Sequence, residues 1–94
     1  MNIQPDSRIA VNDDVLFRDM DGEAIILNLN TESYFGLDDI GTEMWKVLTS
    51  ANSIEEALNL LHQTYEVDEQ LLRADAMALI RKLVDLGMLE LVNA

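Results

Sequence analysis

The sequence contains no cysteine, so disulfides, thiolate nucleophiles and cysteine-based zinc sites are excluded. It has one histidine, His62, inside a helical pattern and without a histidine or cysteine partner for a metal. Its four glycines, Gly22, Gly36, Gly41 and Gly87, stand alone, so no glycine-rich phosphate loop exists. Asp13-Asp14, Asp19 with Asp21, and Asp38-Asp39 lack the longer oxygen register of a calcium loop. Glu55-Glu56 reads as helix capping rather than an acid/base pair. No metal, no cofactor and no catalytic residue is expected. No apolar run approaches the roughly 20 residues that span a bilayer, and Met1–Arg8 has no apolar stretch behind its charge, so neither a membrane segment nor a signal peptide is expected. A cytoplasmic location follows as the default. Basic residues are also scarce: six against eighteen acids, a formal net charge of −12. Phosphate backbones and anionic membrane surfaces would repel such a chain, which argues against nucleic-acid and membrane partners and for solubility or a basic partner.

What remains is 94 residues with 49% hydrophobic and 26% charged composition, ordinary for one soluble domain spanning 1–94. Residues 1–12 show little pattern and are expected to form a flexible N-terminal segment. Val15–Asp19 is a short strand candidate, and Asp21-Gly22 a hairpin turn, since glycine tolerates positive φ. Glu23–Leu29 is the clearest strand, Asn30–Glu32 a second turn, and Ser33–Leu37 a third strand with two aromatics at its centre. Tight turns between them imply an antiparallel meander.

After Leu37 the apolar period changes from 2 to 3.6. Asp38 or Asp39 can cap a first helix with Ile40, Met44, Trp45, Val47 and Leu48 as its apolar face. Ser53-Ile54-Glu55-Glu56 is a capping box opening a second helix with Ile54, Ala57, Leu58, Leu60, Leu61 and Tyr65. Asp68 and Glu69 suit the start of a third helix with the core stripe Leu72, Ala76, Leu79, Ile80 and Leu83, ended by Gly87. Met88–Val92 is a further strand or a docked extension. Strands followed by helices indicate an α+β fold, here a winged helix-turn-helix layout with a three-stranded antiparallel sheet and three helices.

An edge strand with an apolar face is normally blocked by charge or proline. Ser33, Tyr34, Phe35, Gly36 and Leu37 carry neither, and Gly36 leaves room for a second backbone. The alternatives are burial of this edge beneath the helices and recognition of a peptide by an added strand. Self-pairing into a homodimer through the sheet edge is a third use of it. On the third helix, Leu71, Asp75, Ala78, Lys82 and Leu86 form a mixed flank with small Ala78 as a groove floor, favoured over the flank of Arg73, Met77 and Val84 as the face toward the third strand.

The run from Gly22 through Gly41, followed by Met44-Trp45, Ser53–Ala57, Tyr65–Val67 and Asp75–Leu89 with Gly87, resembles the PqqD family. The resemblance covers roughly residues 15–90. It implies a RiPP recognition element: a non-catalytic adaptor that binds the leader region of a ribosomally made precursor peptide and presents it to a modifying enzyme or leader protease in natural-product biosynthesis. It also implies that the leader adds beside the third strand and lies against the third helix. Carried onto this sequence, that points to Ser33, Tyr34, Phe35, Gly36 and Leu37 on the strand and to Asp75, Ala78, Leu79 and Lys82 on the helix. Ile26-Leu27-Asn28-Leu29 stands where the pyrroloquinoline quinone pathway member has Tyr-Pro-Glu, so the chain is more similar to stand-alone PqqD-like proteins such as those of lasso peptide clusters. A winged-helix interaction or dimerisation module, and less so a DNA-binding regulator, are the competing readings.

Overall fold

The computed structural model describes residues 7–92. Strand β1 (Arg8–Val11) is followed by β2 (Val15–Met20), β3 (Glu23–Asn28) and β4 (Ser33–Leu37). Then come α1 (Asp39–Ser50), α2 (Ile54–Thr64), α3 (Glu69–Asp85) and the closing strand β5 (Leu89–Val92). The fold is α+β: a three-stranded antiparallel sheet β2-β3-β4, a two-stranded sheet β1-β5, and three helices.

Local chemistry sets most boundaries. The β2–β3 loop is Asp21-Gly22, with φ of 59° and 90°, the two left-handed residues of a tight primed turn that matches strand twist. Each helix begins at a side-chain cap. Asp38 accepts from the Gly41 amide at 2.7 Å, Ser53 from Glu56 at 3.1 Å and Asp68 from Gln70 at 2.8 Å. Helix α3 ends in a double hydrogen-bonded cap around Gly87 (φ 75°), whose amide donates to Val84 O while Met88 N donates to Leu83 O at 2.8 Å.

One face of the larger sheet is buried. Ala24 and Ile26 of β3 point inward beneath α1, and Phe17 of β2 stacks on Trp45 of α1 with ring centroids 5.6 Å apart. Ile54, Leu61, Ile80, Leu83, Met88 and Leu89 complete the fully buried interior. Two positions of the expected apolar stripes lie outside it: Ile40 is 48% exposed and Leu60 43%. No helix among the described residues is long and apolar enough to cross a membrane.

The N-terminal expectation needs correction. Arg8–Val11 pairs antiparallel with Leu89–Val92, and Ile9 and Ser7 are buried. The apolar side chain at Ile9 anchors a strand whose partner lies at the other end of the chain. The rest of that expected segment, residues 1–6, lies outside the described residues. Of the two alternatives expected for Met88–Val92, Leu89–Val92 takes the strand.

Candidate functional site

Strand β4 pairs with β3 on one side and, among the described residues, has no strand on the other. Its alternation follows from the pleat. Ser33 and Phe35 are half-buried and Leu37 is buried, whereas Tyr34, 73% exposed, and Gly36 face the outer side of the sheet.

The hydrogen-bonding parity of this edge can be worked out. The Leu29 amide donates to Asp14 O at 2.9 Å, which makes that opposed pair a hydrogen-bonded one. Alternation along β3 then directs Ile25 and Leu27 to β2, and Ala24, Ile26 and Asn28 to β4. Their partners on β4 are Leu37, Phe35 and Ser33. The peptide groups left pointing away from the sheet are therefore those of Tyr34 and Gly36. An ideal Cβ on Gly36 would meet no heavy atom within 4 Å, so the outer face of the sheet is open at this position. The opposite edge strand, β2, carries Arg18 and Asp19, and Asp19 is held by Lys46 of α1 at 2.6 Å. Charge of this kind discourages pairing; β4 has none.

At the end of β4 the chain turns into α1, and here a pocket of about 90 Å³ opens. Ile40 and Met44 of α1 form one wall, Tyr65 and Val67 from the α2–α3 connection another, and Leu71, Leu72 and Asp75 of α3 the third. Ile40, Val67 and Leu71 are 40–60% exposed (48%, 44% and 57%), a cluster of large apolar side chains without a covering partner among the described residues. Burial, and after it the charges of Glu43 and Asp39, push the Tyr65 phenol above its ordinary pKa, which places negative field at the mouth.

The expected helix positions divide. Asp75 lines the pocket, while Ala78 and Lys82 are exposed and continue its stripe away from it. Leu79 is half-buried against the core. The alternative flank is engaged elsewhere: Arg73 reaches both Glu55 carboxylate oxygens of α2 at 3.2 and 3.3 Å, and Met77 and Val84 pack on the interior. Sequence reasoning left Ile40, Met44, Tyr65, Val67 and Leu72 out of the site. Periodicity assigned Ile40, Met44, Tyr65 and Leu72 to the core, and Val67 sits in a connection with no period to read. Leu71, one turn before Asp75, was visible as part of the flank.

The molecule is thus a small α+β domain in which, among the described residues, the β4 edge has no strand beside it and an apolar pocket opens between helices where the chain leaves β4 for α1. The chain belongs to the PqqD family, whose model, coenzyme PQQ synthesis protein D, matches residues 23–89. Among solved structures it is similar to TbiB1 in complex with the TbiA(beta) leader peptide. That likeness has 31% identity and a TM-score of 0.79, over 86% of this chain and 94% of that one. It also shares its fold with lasso peptide synthetase B1 complexed with the leader peptide (20% identity, TM-score 0.77, 88% of this chain and 98% of that one). No curated protein matches the chain.

Proposed function

We propose that this chain is a non-catalytic adaptor that binds the leader region of a precursor peptide as an added strand along β4 and presents it to a separate modifying enzyme or leader protease. The observation that carries the reading is the edge at Tyr34 and Gly36, whose peptide groups point away from the sheet, with a half-exposed apolar pocket opening where the chain passes from β4 into α1. Main-chain hydrogen bonds to an edge supply affinity for any extended peptide, and pockets for alternate side chains supply selectivity. The family and the two leader-peptide complexes to which the chain is similar support the same reading. Ser33, Tyr34, Phe35, Gly36 and Leu37 form the strand side of the groove in this proposal, and Asp75 with Ala78, Leu79 and Lys82 the helix side.

The test is calorimetric titration with the leader segment of a cognate precursor peptide, together with mass analysis of the full precursor. One-to-one binding with no mass change in the absence of a partner enzyme is the expected result. A covalent change made by this chain alone overturns the adaptor reading. A concentration-dependent dimer that excludes the leader assigns the β4 edge to self-pairing instead.

A further inference from the structure

The pocket at the end of β4 combines two features that ask for one kind of side chain. Its walls are apolar, with Ile40, Val67 and Leu71 roughly half exposed around the opening. Asp75 is the one charged residue of its lining, and the Glu43 and Asp39 charges reach Tyr65 in its wall. The cations borne by the neighbouring stretches of α1 and α3 have their ion pairs elsewhere, Lys46 with Asp19 at 2.6 Å and Arg73 with Glu55 at 3.2 Å, although the Glu43 charge also reaches Lys46. The negative charge at the mouth has no ion-pair partner among the described residues.

A purely apolar plug would fill the pocket but leave the negative field at its rim unanswered. An acidic group would add like charge. A lysine or arginine satisfies both halves, because its methylene stem lies on apolar surface while the head stays at the polar rim. Size points the same way. About 90 Å³ is smaller than the roughly 150 Å³ cavity that accepts a benzene ring, and suits a narrow stem.

We propose that this pocket selects a lysine or arginine of the bound peptide, its stem packed against Ile40, Val67 and Leu71 and its cation placed among Asp75, Glu43 and Asp39. The inference rests on the reading of the chain as a peptide binder, and it names the chemistry by which one register of the peptide is chosen along an otherwise sequence-tolerant edge.

The experiment is selection from a displayed library of random twelve-residue peptides on three targets: the parent protein, the double variant Glu43→Gln with Asp75→Asn, and Gly36→Pro. The altered carboxylates belong to partly or fully exposed residues, and each variant is checked by circular dichroism and melting. The parent should enrich strand-like peptides with lysine or arginine at one fixed position. In a representative peptide, replacing that residue by norleucine should weaken binding roughly fivefold, the scale of a partly screened ion pair. On the double variant the cation should lose its enrichment while the apolar positions of the consensus remain. A parent consensus without a fixed cation, or a cation preference that survives in the double variant, overturns the proposal. Enrichment of the same cationic peptides on Gly36→Pro leaves the pocket standing and removes strand addition instead. Failure of the parent to enrich any peptide contradicts peptide binding itself, and the proposal with it.

Discussion

In the proposed strand addition, Gly36 and Tyr34 act through their peptide groups more than through their side chains. Because the Gly36 amide points away from β3, a proline there deletes a free-edge donor and spares the internal ladder. Gly36→Pro should therefore keep its cooperative melt and lose roughly 1–3 kcal/mol of leader affinity, read by titration calorimetry. Asn28 is the opposite case, a polar residue whose work is internal. It is 2% exposed, its Nδ2 donates to Gly87 O at 2.9 Å, and its Oδ1 accepts from the Asn30 and Thr31 amides. It ties the β3–β4 turn to the cap of α3, where the Asn12 amide also donates to Gly87 O at 3.3 Å. Asn28→Ala should cost about 2–3 kcal/mol in urea denaturation, since buried partners are left unpaired. Gly36 was legible as a place for a second backbone, but the direction of its amide and the work of Asn28 were not. The parity of an edge depends on which neighbouring pair is hydrogen-bonded, and the Asn28–Gly87 contact joins residues 59 positions apart.

Among the elements, hairpins and caps were legible because their signals are local. Asp21-Gly22 has the left-handed pair a two-residue loop demands, and Asp38, Ser53 and Asp68 cap the helices they precede. Strand β1 was not legible, since its four residues have too short a pattern and their partner is β5 at the far end of the chain. Its contribution can be measured. Ile9 is 4% exposed, so Ile9→Ala should destabilise the fold by about 2–4 kcal/mol in denaturant titration, whereas a flexible segment would show no change. Ile40 was misplaced for a different reason: an apolar stripe marks a face, and part of that face here borders an open pocket rather than the interior.

The clamp between β2 and α1 has a pH signature. The Lys46 hydrogen bond, then the Gly22 amide, hold Asp19 below the usual carboxylate range, and the Asp19 hydrogen bond holds Lys46 above the usual lysine range. The Asp19 contribution is present above its unfolded pKa and is lost as pH falls through the lowered folded value. The Lys46 contribution is full below its unfolded pKa and is lost as pH rises through the raised one. Melting temperature should thus carry a small clamp contribution across neutral pH that disappears in acid and in strong alkali. Asp19→Asn should flatten the acid side of the difference relative to the parent, with a small effect because the pair is solvent-accessible.

Taken as a whole molecule, the chain sets a net charge of −12 against a β4 strand that carries none. Binding of a basic leader should be faster and a few-fold tighter at low salt, with most affinity surviving at about 0.15 M ionic strength. Stopped-flow association across that range separates this mode from a purely electrostatic one, in which nearly all binding would vanish. The central claim is that a peptide completes the sheet at β4, and amide hydrogen exchange at single residues tests it most directly. In the free protein Tyr34 and Gly36 should exchange much faster than Phe35, whose amide points into the sheet toward Ile26. Saturating leader should slow Tyr34 and Gly36 and leave Phe35 nearly unchanged. Protection of Tyr34 and Gly36 before any peptide is added, or no gain in their protection when the leader is bound, would contradict it.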